Sequence, residues 1–276
     1  MTVFAQAADY APSAVTPEMV RVRPNSAVRA GAYPYDAADV VTRWHMHDLH
    51  QIEYAVEGTA QVETATARYL LPPQQAVWIP AFLPHRTTLR RVRSVSVFLD
   101  PSMITGKGDR ARVLAVPPVF REMAVYGARW PIDRAASDDV ADSYFETLAI
   151  LIGRWLDDEV PWHLPSSDEP VVSAAMRYTD AHLDTATLRD VCAAVAVSER
   201  TLRRRFADAT GISWRQYQLH SRLLRAMTLL AEPGATVLSV ATKVGFDSGS
   251  AFARAFTAYT GQSPSSYRRR GGPLRT

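Results

Sequence analysis

Residues 187–267 of the chain hold one pattern of apolar and small residues twice. Val191, Ala196 and Val197 return 49 residues later as Val240, Gly245 and Phe246. Leu202, Phe206, Gly211, Ser213 and Tyr217 return 50 residues later as Phe252, Phe256, Gly261, Ser263 and Tyr267. The apolar positions have helical spacing. The step from 49 to 50 inserts one residue where each copy breaks between two helices. Ala196 and Gly245 fall at that break, where a larger side chain would hold the helices apart. A chain constrained in this way builds two helix-turn-helix units of nearly equal shape.

Chemical marks set the helix starts. Thr187 with Asp190, and Ser213 with Gln216, have capping-box spacing. Ser198 and Ser248 stand where the second helix of each copy begins. Ser263-Pro264 puts proline at a first helical position. In the first copy, Val195, Val197, Leu202 and Phe206 form the inward side of the reading helix. Arg200, Arg203 and Arg204 then point outward, with Thr201 between them. Arginine can grip guanine O6 and N7 in bidentate fashion, and it also binds phosphate. Arg205 reads as structural or phosphate-facing. The second copy offers Ser250, Ala253 and Arg254, of which only Arg254 is a strong donor. Residues 213–231 read as one unbroken amphipathic helix ended by Pro233-Gly234. Such a strut would hold two reading helices about one DNA repeat apart, ~34 Å.

Charge divides the chain. Residues 1–170 carry 16 Lys+Arg and 21 Asp+Glu, a net −5. Residues 171–276 carry 15 and 7, a net +8. A basic back half behind an acidic front half points to a polyanion partner for the back half alone. Cys192 is the single cysteine, so no internal disulfide forms, and its apolar neighbours make it a core filler. No apolar run reaches the ~18 residues of a membrane span, and the N-terminus lacks a signal-peptide pattern. A cytoplasmic protein with no membrane partner is expected. His182 and His220 read as surface or packing residues.

The front half changes period. Residues 1–30 read as a loosely ordered lead-in. From about Val40, short alternating runs appear at Gln51–Val56, Gln61–Thr64, Ala76–Ile79 and Ser94–Leu99. Turn signals at Glu57-Gly58, Pro72-Pro73 and Pro80 through Pro84 separate them. Such strands argue for an antiparallel sandwich or barrel. Helical spacing follows at Pro118–Tyr126 and Ser137–Leu156. In the latter, Val140, Tyr144, Leu148, Leu151 and Trp155 make one stripe, to be packed on its own domain or used for self-association. Residues 157–170, charged and proline-rich, read as a linker.

From about Val171 to Arg270 the chain resembles the AraC/XylS-type transcriptional regulators. The resemblance rests on Ala-Val-Ser198, on Leu202-x-x-x-Phe206-x-x-x-x-Gly211-x-Ser213, and on the run from Val244-Gly-Phe246 to Pro264-x-x-Tyr267-Arg. It implies motifs at about 188–209 and 236–259, with base contacts from Arg200, Arg203 and Arg204 and from Ser250, Ala253 and Arg254. The front half is similar to a cupin barrel. His45-Met-His47 is its His-x-His, and Pro80 to His85 is its Pro-x-x-x-x-His, while Gln51 stands where an acidic residue is usual. His45 and His47 share one strand face. The resemblance implies an effector-sensing domain.

The expected fold is therefore α+β in two domains. A cupin-like antiparallel barrel with following helices spans 31–156, with residues 137–156 a candidate dimerisation helix. An all-α double helix-turn-helix domain spans 171–270. His45, His47, Gln51 and His85 are the candidate effector pocket. The three histidines are also candidate ligands of a divalent metal, with Gln51 a weak oxygen donor; a metal-free pocket and purely structural histidines stay open beside this. The expected function is a DNA-binding regulator, not an enzyme, controlled by a small-molecule or metal effector. Its partners would be double-stranded DNA, the effector, RNA polymerase if it activates, and a second copy if it dimerises. The alternative is a metal-dependent cupin enzyme with a nucleic-acid-binding appendage.

Overall fold

A computed structural model of the chain describes residues 16–24, 26–72, 75–115 and 117–271. The chain divides into two units between His163 and Leu164. This point lies inside the segment read as a linker.

The first unit is sheet-rich. Its strands are β1 (Glu18–Met19), β2 (Ala30–Val41), β3 (His45–Met46), β4 (His50–Glu63), β5 (Ala67–Leu71), β6 (Gln75–Ile79), β7 (Arg86–Leu99), β8 (Arg112–Ala115) and β9 (Glu159–Val160). Two helices follow β8: α1 (Pro118–Gly127) and α2 (Asp139–Trp155). β7 pairs antiparallel with β2 on one side and β4 on the other. β4 also pairs antiparallel with β6 and β5, β6 with β8, and β8 with β9. Antiparallel strands followed by helices are the expected architecture, and the pairing path is not a closed ring.

Alternation gives this sheet two different faces. Ile52 and Tyr54 of β4, Trp78 of β6, and Val97 and Leu99 of β7 pack with Phe120 of α1 and Phe145, Leu148 and Ile152 of α2. Each such side chain contributes roughly 1.5–3 kcal/mol on burial. The residues between them, Gln51, Glu53, Ser94 and Ser96, belong to the opposite face, where these polar side chains sit among Val77, Ile79 and Phe98.

Several details differ from the expectations. The runs at Gln51–Val56 and Gln61–Thr64 are one strand, because Glu57-Gly58 is a bulge and not a turn; Gly58 takes φ +77° there. β2 lacks a clean alternation and contains Pro34, which an edge strand tolerates, so pattern alone did not reveal it. The lead-in is anchored over its described part: Arg23 bonds the Val28 carbonyl oxygen at 2.7 Å and Asp100 at 2.9 Å. Residues 1–15 lie outside the described residues. Residues 157–163 belong to the first unit. β9 pairs with β8, and Arg110 holds Glu159 through two bonds of 2.6 and 2.5 Å.

On α2 the buried stripe is Ala141, Phe145, Leu148 and Ile152, about one residue round from the expected one. Val140 is 66% exposed. Gly31 admits a close approach, since a Cβ there would lie 2.5 Å from Ile132 Cα.

The second unit is helical: α3 (Pro170–Ala181), α4 (Leu188–Ala194), α5 (Glu199–Thr210), α6 (Trp214–Leu230), α7 (Val237–Lys243), α8 (Gly249–Thr260) and α9 (Pro264–Gly271). The duplication is visible in its packing. Phe206 and Tyr217 meet edge-on at 5.4 Å, and Phe256 and Tyr267 at 5.5 Å. Thr187 and Ser213 make the expected capping boxes, and Thr236 with Ser239 makes a third that was not foreseen. Ser198 and Ser248 cap α5 and α8. Gly211 and Gly261 end these helices in the left-handed region. The extra residue of the second copy falls in the turn before Ser248.

Both turns are left-handed, at Ala196 with φ +53° and at Gly245 with φ +79°. A Cβ at Gly245 would sit 2.3 Å from the Asp184 carbonyl oxygen. Arg222 of α6 explains that closeness: its guanidinium donates to the carbonyls of Leu183, Asp184 and Gly245 at 2.9, 3.0 and 2.9 Å.

Arg222→Lys, which keeps the charge but cannot span three acceptors, should lower the local stability of this unit by about 2–3 kcal/mol. Gly245→Ala should cost at least as much, whereas Ala196→Gly should stay within about 1 kcal/mol of the parent. Hydrogen exchange of the α4 and α7 amides in the full chain reads these differences. Equal effects at Ala196 and Gly245 would refute the asymmetry.

Candidate functional site

On α5, Leu202 and Phe206 are fully buried while Val195 and Val197 before it are half-buried. This fixes the opposite side of the helix as outward. Arg200, Arg203 and Arg204 are all exposed there, and Thr201 is half-buried with its hydroxyl 2.9 Å from that of Ser198. Arg203 is not free: Glu199, one turn earlier, accepts from it at 2.8 Å. Glu199 was missed in the sequence, although an acidic residue four before an arginine is a readable helix signal. Arg205 pairs with Glu169 at 3.2 Å, in keeping with a structural role.

α8 repeats the geometry with other chemistry. Phe252 and Phe256 are buried, Ser250 and Arg254 are exposed, and Ala253 is half-buried. Arg254 is thus the one long cation among the three positions expected to face outward. The α6 helix between the copies runs unbroken, with Trp214 donating to Thr179 at 2.9 Å and Tyr217 to Asp180 at 3.1 Å. His182 stacks on Tyr178 and His220 lies against Tyr259, packing positions as expected.

The first unit gathers His45, His47 and His85. His45 and His85 exchange backbone hydrogen bonds, each amide donating to the other's carbonyl at 2.9 Å. Their rings are 4.3 Å apart, and the His47 ring lies 5.1 Å from that of His85. The loop before His85 is tight: Phe82 has φ +63°, and its amide donates to the His47 carbonyl at 2.8 Å. Non-glycine residues in that region are concentrated at functional sites.

One local device recurs in all three histidines. Nδ1 of His45 faces the Arg43 carbonyl at 2.8 Å, that of His47 the Leu49 carbonyl at 2.7 Å, and that of His85 the Leu83 carbonyl at 2.8 Å. A carbonyl only accepts, so Nδ1 of His45 and of His85 carries the proton and the Nε2 of each presents a lone pair, whereas a neutral His47 ring, with an acceptor at each nitrogen, can donate to only one of them. Burial lowers the pKa of His45 and His47, and that of His85 well below the ordinary range, so all three rings are neutral at pH 7. Nε2 of His85 is buried without a partner. Nε2 of His47 lies 2.9 Å from the Gln51 side-chain oxygen, and the Gln51 amide nitrogen donates to Glu53 at 3.0 Å. His50 has the opposite polarity, because its Nδ1 accepts from the Ala81 amide at 2.9 Å.

One ring nitrogen from each histidine of the trio lies within 4.8 Å of the others. A divalent ion bound at ~2.1 Å to three nitrogens wants them about 3.4 Å apart. The trio fits such an ion once the rings contract and His47 Nε2 exchanges the Gln51 oxygen for the ion. Gln51 is already engaged on both ends and is not counted among the ligands.

The comparisons with known proteins agree with this division. Residues 32–94 match the family model of the AraC-like ligand binding domain, and residues 191–270 match that of a helix-turn-helix domain. The HTH-type transcriptional regulator NimR of Escherichia coli is 28% identical over 231 residues, 81% of this chain and 81% of the relative. The HTH-type transcriptional activator RhaR of Escherichia coli is 29% identical over 135 residues, 48% of this chain and only 47% of that relative. Among solved structures, the C-terminal domain of AraT, a response regulator from Geobacillus stearothermophilus, is 31% identical over 37% of this chain and 86% of that chain, with a TM-score of 0.36. Among the described residues no helix is long and apolar enough to cross a membrane. The chain belongs to the AraC-type DNA-binding transcriptional regulators, with an AraC-like ligand-binding domain in front of its double helix-turn-helix.

Proposed function

We propose that the two reading helices divide the work of DNA recognition unequally. α5 contacts base edges through Arg200, Arg203 and Arg204, with Thr201 beside them. α8 contributes Ser250, Ala253 and Arg254, and holds the duplex mainly by phosphate contact. The supporting observation is the outward side of each helix: Arg200, Arg203 and Arg204 exposed on α5, beside an exposed Arg205 paired with Glu169, against Arg254 alone on α8. An effector held on the polar face of the sheet at His45, His47, Gln51 and His85 shifts the population of DNA-competent molecules. No catalytic role is assigned to this face, and the relatives are regulators. A second copy and RNA polymerase are the further partners of this reading.

The histidine trio is proposed as a site for a borderline divalent ion, since three neutral imidazoles are a donor set of that preference. When bound, the ion supplies positive charge to which a donor atom of a small molecule can add. The chain's own part is to fix the three ring orientations through the carbonyls of Arg43, Leu49 and Leu83.

Three outcomes are expected. Arg203→Ala or Arg204→Ala should cost ~1–3 kcal/mol on specific DNA and far less on random DNA; equal losses would make them phosphate clamps. Elemental analysis of the purified protein should find near-stoichiometric divalent metal that His47→Ala loses, and sub-stoichiometric metal in both would sink the ion. Because the three imidazoles are depressed by burial, the metal-free folded chain binds fewer protons than the unfolded one. Its stability should therefore hold above about pH 6.5 and fall as the pH drops below that value. A melting temperature unchanged between roughly pH 7.5 and 5.5 would show that these rings are solvated.

A further inference from the structure

The polar face of the sheet holds a second group of buried side chains beside the histidines. Glu53 and Gln75 are each 2% exposed and Ser94 is fully buried. One oxygen of Glu53 receives the Gln51 amide at 3.0 Å and the Ser96 hydroxyl. The Ser94 hydroxyl also lies against the Glu53 carboxyl, and neither atom of the Gln75 amide has a partner. Buried polar groups are nearly always paired, so the two orphaned amide atoms of Gln75, on the same sheet face as the Glu53 carboxyl, call for a ligand.

Strand register gathers them around one small residue. Ala55 of β4 pairs with Ser94 of β7. Tyr54 pairs with Ala76 of β6, which sets Ala55 and Gln75 side by side. Glu53, two residues back along β4, points to the same face. The methyl group of Ala55 is thus a floor, rimmed by a carboxyl, an amide and a hydroxyl. The register of β4 against β7 shifts just beyond Ala55, and bulges often stand beside binding sites.

The rim also selects by charge. Among the described residues no basic side chain bonds Glu53, so an anionic ligand would find no counter-charge. A cation could satisfy Glu53 but would leave the Gln75 N–H groups without an acceptor. Burial raises the Glu53 pKa, in keeping with an uncharged rim.

We propose that Glu53, Gln75 and Ser94 form the polar subsite of the effector. This subsite takes a small uncharged molecule with adjacent hydrogen-bond donor and acceptor groups, of the amide, urea or lactam class. The inference rests on the reading that the effector binds this face of the sheet.

The test is saturation-transfer NMR on the full-length protein with acetamide, urea and 2-pyrrolidone, and with acetate and methylammonium as charged controls. The uncharged probes should bind and the charged ones should not. Gln75→Leu and Glu53→Gln should each weaken binding about tenfold or more, one lost hydrogen bond's worth. Both variants should melt no lower than the parent, because one removes an unpaired buried amide and the other a buried ionisable carboxyl. A lower melting temperature with unchanged probe binding would make these residues structural and overturn the proposal. Probe binding lost in His47→Ala but kept in Gln75→Leu would retain the ligand face and reject this subsite. Binding of acetate in preference to acetamide would reject the ligand class. No binding by any probe would overturn the subsite, while the DNA-reading proposal above would stand untouched.

Discussion

The Arg222 guanidinium is the fixed point of the helical unit. Its three carbonyl acceptors come from the α3–α4 connection and from the turn of the second copy, so one side chain ties both to the strut between the copies. Charge-assisted bonds of this kind are worth more than neutral ones, and here they satisfy three carbonyls where the helices crowd. Gly245 is the corollary. The carbonyl of Asp184 lies where a methyl group would go. In the first copy the same left-handed bend is supplied by Ala196, which carries a methyl group and is exposed.

Backbone carbonyls do comparable work in the sheet-rich unit. Nδ1 of each of His45, His47 and His85 faces the carbonyl two residues before or after it in the chain. The ring orientation is thereby set locally, by the segment that carries the histidine. What the sheet adds is assembly: the exchange of bonds between His45 and His85 brings two distant segments together. The polar face then continues through Gln51 to Glu53, so the histidines and the second polar group share one hydrogen-bonded chain.

Much of this was legible in the sequence, and for physical reasons. Caps, left-handed glycines and helical periodicity are local signals, which is why the two helix-turn-helix copies and their turns could be placed closely. The histidines were legible as candidates, because the His45/His47 spacing alone puts two rings on one strand face. The misses are non-local. Gly58 reads as a turn unless a neighbouring strand is known to run past it. β2 is held by its partner β7 and not by its own pattern. The stripe on α2 turned by one residue because Phe145, absent from the expected stripe, packs against the sheet. Glu53 and Gln75 could not be singled out at all. An isolated acidic or amide residue in a strand shows its lack of a partner only once its neighbours across the sheet are known.

The outward side of α8 has a consequence for the evolution of binding sites. A reading helix that presents a serine, an alanine and a single arginine makes few demands on the bases it faces. On the proposed division of labour, operators can then drift on that side without losing the regulator, while the side met by the arginines of α5 stays under selection. New promoters are captured most easily by a regulator built in this way, since only half of a site must arise by mutation.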